Sequence, residues 1–173
     1  MAVVTALRYH DISCGHRVCG HESKCAHLHG HNYRVHFHCR GVQDTLGRVI
    51  DFSVIKEKLC MWLEDNWDHR FLVFRDDPLA GELQHLDDTV VKVPFNPTAE
   101  NMAAYLVHMV GPSQLLDTGV TLYKVVVEET AKCHASYELD DERYASVNDS
   151  RFSIYGSSPS DHTTMTSKFE WNL

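Results

Sequence analysis

The segment from His31 to Arg40 restricts the fold more than any other stretch of the chain. Tyr33, Val35, Phe37 and Cys39 fall on one side of an extended backbone, and Asn32, Arg34, His36 and His38 on the other. A period of two over that length describes a strand with one buried and one polar face. Such a strand needs partners for its backbone groups and apolar cover for one side. Val3 to Ser13, with β-branched and apolar residues, reads as a preceding strand. Val120 to Glu129 and Cys133 to Leu139 read as a hairpin joined by a tight turn at Thr130 to Lys132. Short links between consecutive strands favour antiparallel pairing.

Two helices supply the cover. Asp51 to Asn66 carries Ile55, Leu59, Trp62 and Leu63 on one stripe, with Ser53 as the expected N-cap. The second starts at Thr98 after Pro97, carries Met102, Leu106 and Met109, and is expected to end at Gly111-Pro112. Arg75 to Val90 contains Pro78 and Gly81 and reads as a loop with one helical turn. The expected order is ββααββ, an α+β fold with a four-stranded antiparallel sheet and two helices. After Glu138 the chain turns acidic and then rich in Ser and Thr, with Phe152, Ile154, Tyr155, Phe169 and Trp171 as apolar anchors. The expected division is a domain over 1–139 and an extension over 140–173 that packs on it or on a neighbouring subunit.

With 173 residues the chain suits one core, and its formal charge of −8 argues against a protein that coats nucleic acid. No run of about 20 apolar residues marks a membrane span. The stretch Met1 to Thr5 lacks the regions of a signal peptide. The expectation is a cytoplasmic protein whose six cysteines are reduced thiols, with Cys39 and Cys60 buried as packing groups.

Seven of the thirteen histidines lie between His16 and His38, a density that marks a local device. His29 and His31 are two apart on a strand and point to one side. Gly30 between them leaves room and permits an unusual backbone angle. If the first two strands pair antiparallel, His16 at the end of one lies near His29 at the start of the other. Three neutral imidazoles with one open position describe a catalytic zinc site. His36 and His38 have the same spacing but sit mid-strand on the polar side, as surface or interface residues. His21 and His27 are close enough to line a pocket.

Cys25 precedes His29 by four residues, beside Lys24. A thiol near a metal ion and cationic groups can act as base or nucleophile. It can equally be a spare thiol, or a fourth ligand that closes a structural site. Asp68-His69 is a pair in which the acid can orient the imidazole, or ordinary helix-end decoration. Glu129 shares a strand face with Tyr123, Val125 and Val127, and is either pocket-facing or just beyond the sheet edge.

Taken together, Ile12-Ser13-Cys14-Gly15-His16, Cys25-Ala26-His27-Leu28-His29-Gly30-His31-Asn32-Tyr33, Val49-Ile50-Asp51-Phe52-Ser53, Asp68-His69 with Leu72, Asn96-Pro97-Thr98-Ala99-Glu100-Asn101, and Glu129-Thr130 resemble the ordered motifs of the 6-pyruvoyl-tetrahydropterin synthase superfamily. The three-residue gap between Cys25 and the His-Gly-His, and the segment Val-Ile-Asp-Phe, are similar to the bacterial 6-carboxy-5,6,7,8-tetrahydropterin synthase branch of queuosine biosynthesis. The resemblance implies a T-fold that assembles into an oligomeric barrel, usually a hexamer built as a dimer of trimers, with active sites at subunit interfaces. It implies Zn²⁺ on His16, His29 and His31. It makes Cys25, Asp68 and His69 catalytic, and Glu129 and Thr98 pterin-binding. The implied reaction converts 7,8-dihydroneopterin triphosphate to 6-carboxy-5,6,7,8-tetrahydropterin, acetaldehyde and triphosphate. The alternatives are 6-pyruvoyl-tetrahydropterin formation, or zinc-dependent pterin binding without turnover. The loop Arg17 to Lys24, Trp67 before the Asp-His pair and the C-terminal extension depart from the family pattern.

Overall fold

A computed structural model of the chain describes residues 3–140. The extension over 140–173, and with it the expected packing of the apolar anchors, lies outside the described residues apart from Asp140. Six strands form one mixed sheet: β1 (Thr5–His16), β2 (His29–Arg40), β3 (Phe71–Phe74), β4 (Val90–Val93), β5 (Thr121–Thr130) and β6 (Cys133–Glu138). Their order across the sheet is β4-β3-β1-β2-β5-β6.

The expected antiparallel hairpins are present. β1 pairs with β2 from Thr5↔Arg40 to His16↔His29, β2 pairs with β5, and β5 with β6. The four-stranded, wholly antiparallel sheet is corrected to six strands. β3 and β4 add to the β1 edge in parallel, and a short helix α2 (Ala80–Leu86) crosses between them. The segment read as a loop hides them because each strand is only four residues long. A parallel strand covered on both sides shows an apolar run rather than alternation, and Leu72 and Val73 are both fully buried.

Two longer helices cover one face of the sheet. The first, α1 (residues 52–66), is α-helical over Phe52–Ile55 and Met61–Asn66, with a π-type turn over Lys56–Cys60 between them. Its N-cap is Asp51 rather than Ser53, because the Asp51 carboxylate accepts from the Ser53 N–H. The wider π turn lets both Leu59 and Cys60 face the core. Trp67, where the family pattern has an aliphatic residue, is a core residue. It meets Trp62 edge-on at 5.4 Å and stacks on Tyr105 at 6.2 Å.

The third helix, α3 (residues 99–115), begins at the expected N-cap Thr98 but runs past Gly111-Pro112. A π-type turn over Leu106–Val110 precedes Pro112. A Cβ on Gly111 would lie 2.8 Å from Leu122 Cβ, so this glycine permits close helix–sheet contact and does not end the helix. The core lies between these helices and the face carrying Tyr33, Val35, Phe37, Val125 and Val127. No helix among the described residues is long and apolar enough to cross a membrane. All six cysteines are free, with Cys39 and Cys60 fully buried.

Gly30 pairs with Gly15 in the β1–β2 ladder. Its φ is not in the positive region, so the expected unusual angle is absent. The position needs glycine for space, since an added Cβ would lie 2.9 Å from the Cys14 carbonyl oxygen and 3.3 Å from Gly15 Cα. Gly30→Ala is therefore expected to push the two strands apart and to destabilise the fold by about 1–3 kcal/mol, read as a lower urea midpoint. An unchanged midpoint would show that the ladder has slack at this point.

Candidate functional site

The antiparallel register brings three histidines together. His16 and His29 are direct partners across the ladder, and His31 is two residues further along the same side of β2. Their rings lie 4.4 Å (His16–His29), 5.4 Å (His16–His31) and 5.1 Å (His29–His31) apart. One ring nitrogen from each falls within 4.8 Å of the others, so the group could hold a metal ion.

The second ring nitrogens show how two of these imidazoles are aimed. His16 Nδ1 is 2.7 Å from the Pro97 carbonyl, and His29 Nδ1 is 2.8 Å from the His27 carbonyl. A carbonyl only accepts, so each Nδ1 carries a proton, and in the neutral ring Nε2 keeps the lone pair. His16 is 1% exposed, and its Nε2 is buried without a hydrogen-bond partner. His31 Nε2 is also buried. It lies 3.2 Å from Glu129 Oε1, but the geometry is not that of a hydrogen bond. Orphaned buried nitrogens of this kind cost about 1–3 kcal/mol each unless something satisfies them. Burial, against the Pro97 hydrogen bond, holds His16 below the ordinary histidine value of 6.5, which favours the neutral, ligating form. Three neutral imidazoles fit Zn²⁺ better than Mg²⁺ or Ca²⁺, which take oxygen donors.

The loop from 17 to 28 and the start of α3 are tied together around this group. Asn96 Oδ1 accepts from the Cys19 N–H at 2.8 Å, and Asn96 Nδ2 donates to the Cys19 carbonyl at 2.7 Å. Asn101 Nδ2 donates to the Asn96 carbonyl. Thr98 Oγ1 accepts from the Asn101 N–H at 3.3 Å, which leaves its own proton free to donate. The motif Asn96-Pro97-Thr98 thus orients His16, a role that sequence reasoning missed. A Pro beside a helix N-cap showed the helix start, not the carbonyl that faces the metal group.

Cys25 is half-buried in the short 3₁₀ turn Lys24–Ala26, and its carbonyl accepts from the Val18 N–H at 2.8 Å. It does not join the group of convergent ligand atoms. Cys14, opposite His31 in the ladder, is a packing group, because burial pushes its thiol up to about 12. Tyr33 follows His31 on the same face, edge-on to it at 5.5 Å and to His16 at 5.8 Å. Burial keeps the Tyr33 hydroxyl protonated, and Glu129, Cys14 and Cys25 are near enough to add to the effect.

His21 and His27 lie outside the group of convergent ligand atoms. His21 Nδ1 accepts from the Ser23 N–H, and His27 contributes its carbonyl. His36 and His38 lie on the polar side as expected. His36 Nε2 is 2.7 Å from Glu128 Oε1, and the His38 ring meets Tyr123. Tyr123 therefore does not share the face of Glu129. A bulge opposite His38/Cys39 switches the parity of β5 between Leu122 and Lys124.

Asp68 and His69 sit at the edge of β1. Asp68 Oδ1 accepts from the Ser13 N–H at 2.8 Å, the His69 N–H donates to the Ser13 carbonyl at 2.7 Å, and Asp68 Oδ2 meets His69 Nδ1 at 2.5 Å. Among the described residues, His69 is the only non-glycine with positive φ, at 53°. Backbone strain of this sort is retained where a side chain must be presented in a fixed direction. The pair lines a polar cavity of about 600 Å³ with Ser13, Asn32, Arg34 and Glu128. Cys25, His16 and His29 do not line it, while His31 and His69 both line a second cavity that also touches Ser13 and Asn32.

Comparison with known proteins gives the family. The sequence profile described as 6-pyruvoyl tetrahydropterin synthase matches residues 6–140. The chain belongs to this family. Within it, the chain is 32% identical over 134 residues to the 6-carboxy-5,6,7,8-tetrahydropterin synthase of Rickettsia typhi, covering 76% of this chain and 97% of the relative. It is 34% identical over 121 residues to the probable enzyme of the same name from Halobacterium salinarum, with 69% and 76% covered. Among solved structures, the 6-pyruvoyl tetrahydropterin synthase of Caenorhabditis elegans superposes with a TM-score of 0.58 at 28% identity, over 81% of this chain and 98% of that one. A Wolinella succinogenes protein shares the fold with a TM-score of 0.71 at 24% identity, over 81% and 100%. Family membership and the names of these relatives identify an enzyme of the tetrahydropterin synthase type.

The Asp68 ties make a pH test available. Burial opposes ionisation of Asp68, but the Ser13 N–H and His69 outweigh it, and the carboxyl titrates below its ordinary 3.8. The folded chain then holds fewer protons on Asp68 than the unfolded chain, so the contribution is complete above 3.8 and is lost as pH falls through the lowered value. Between about pH 5 and about pH 3, the urea midpoint of the wild type is expected to fall more steeply than that of Asp68→Asn. Parallel slopes would contradict the assignment.

Proposed function

We propose that this chain is a zinc-dependent lyase that converts 7,8-dihydroneopterin triphosphate and one water to 6-carboxy-5,6,7,8-tetrahydropterin, with release of acetaldehyde and triphosphate. The observation that carries the reading is the convergence of His16, His29 and His31 at the end of the β1–β2 ladder, with Glu129 against His31, in a chain whose curated relatives carry the 6-carboxy name. The pathway proposed is queuosine biosynthesis, in the cytoplasm, where the six thiols stay reduced.

His16, His29 and His31 would hold the ion, with the Pro97 and His27 carbonyls fixing two of the imidazoles. A bound Zn²⁺ supplies Lewis acidity toward side-chain oxygens of the substrate. Cys25, on its own turn outside the ligand group, takes a proton from the substrate side chain. Asp68 orients His69, and the pair returns a proton to the other face. Glu129 accepts from the guanidine-like edge of the pterin, an arrangement that suits a carboxylate, and Thr98 contacts the ring through its free hydroxyl proton. The cavity with Asp68 and His69 excludes Cys25 within one chain. That separation supports a homo-oligomer in which a neighbouring subunit brings the pair to Cys25, and the assembly proposed from the family resemblance is a hexamer built as a dimer of trimers.

The test is product analysis with purified, zinc-loaded protein. Mass spectrometry is expected to find the 6-carboxy product with stoichiometric acetaldehyde. A 6-pyruvoyl product without acetaldehyde would instead place the chain with the other branch. Cys25→Ala is expected to keep its zinc and to lose about 10²–10⁴-fold in turnover. Wild-type turnover in a zinc-replete Cys25→Ala protein would remove the cysteine from the mechanism.

A further inference from the structure

Three polar atoms on the metal-bearing face are buried without a hydrogen-bond partner: His16 Nε2, His31 Nε2 and the Tyr33 hydroxyl. The two imidazoles are accounted for by a metal ion. The phenol is not, because zinc sites draw on His, Cys and carboxylate donors. Yet Tyr33 is only 1% exposed, and it stands on β2 two residues beyond His31 with its ring edge-on to both His16 and His31. Glu129, Cys14 and Cys25 lie near enough to act electrostatically on its hydroxyl. A phenylalanine would fill the same space without leaving an unsatisfied donor. The hydroxyl is therefore explained by something that arrives with a ligand.

We propose that Tyr33 is a substrate-positioning residue, whose O–H donates a hydrogen bond to a side-chain oxygen of the bound pterin next to the metal. The inference rests on the pterin reading of the site. The oxygen assigned to it is one carried by the hydroxyl-bearing C6 side chain, which is the part of the ligand directed at the metal; the guanidine-like edge of the ring is assigned to the Glu129 carboxylate. A phenol as donor also suits an oxygen that gains negative charge when a neighbouring carbon is deprotonated.

The experiment compares zinc-loaded wild type and Tyr33→Phe by calorimetric titration with two unreactive probes. Neopterin carries the hydroxylated side chain, and 6-methylpterin lacks it. Zinc content by elemental analysis is expected to be equal in the two proteins. Tyr33→Phe is expected to bind neopterin about tenfold more weakly, with 6-methylpterin affinity unchanged. The metal-free variant is expected to melt no lower than metal-free wild type, because the hydroxyl has no partner to lose. A lower melting temperature with neopterin affinity unchanged would make Tyr33 a structural residue and overturn the proposal. Equal loss for both probes would overturn the side-chain contact. Failure of neopterin to bind wild type would overturn the pterin reading itself, and this proposal with it.

Discussion

The backbone ladder between β1 and β2 sets everything at the site. It runs without interruption from Thr5↔Arg40 to His16↔His29. A slip of one residue would turn His29, His31 and Tyr33 to the other side of the sheet. The register is held by the core on one face, where Ile12, Cys14, Tyr33, Val35, Phe37 and Cys39 are buried. At the metal end Gly30 allows the two strands to approach, and Gly15 opposite it leaves room for the Phe71 ring. Hydrophobic packing far from the histidines thus fixes where their nitrogens meet. The carbonyls of Pro97 and His27 then fix which nitrogen is offered.

Strand parity also separates neighbouring residues with different work. Glu129 is directed toward His31, while Glu128, one residue earlier, reaches His36 on the opposite face. The acidic balance of the chain is distributed by similar local pairing. Arg17, a natural source of positive field near the site, lies 3.1 Å from the buried Asp77. Arg34 is held bidentately by Asp11. These arginines are engaged in the fold, so under the proposed function the local positive charge for an anionic substrate falls to the metal ion and to other basic residues.

Much of this could be read from the sequence, for physical reasons that differ by element. The alternation in β2 and the stripes of α1 and α3 are periodic over enough residues to show their type and buried side. The exception is Met109, expected on the α3 stripe, which is exposed because the π-type turn brings Val110 to the core instead. His16, His29 and His31 could be linked because one antiparallel pairing brings a strand end to a strand start. β3 and β4 could not be read, since four residues of parallel strand carry no alternation. Gly111-Pro112 resembled a helix stop because the contact with Leu122 that calls for glycine is tertiary. The reversal at Tyr123 depends on a bulge that only the paired strand reveals. The roles of Pro97 and His27 are carried by carbonyls, which every residue has, and the left-handed backbone of His69 has no mark in a residue name.

The central claim is that three histidines hold the metal, that one position stays open, and that Cys25 stays off it. X-ray absorption at the zinc edge of the reconstituted protein tests this directly. The account predicts three nitrogen scatterers at about 2.0–2.1 Å with an oxygen completing the shell, and no sulfur. A sulfur scatterer at about 2.3 Å, or fewer than three nitrogens, would contradict it.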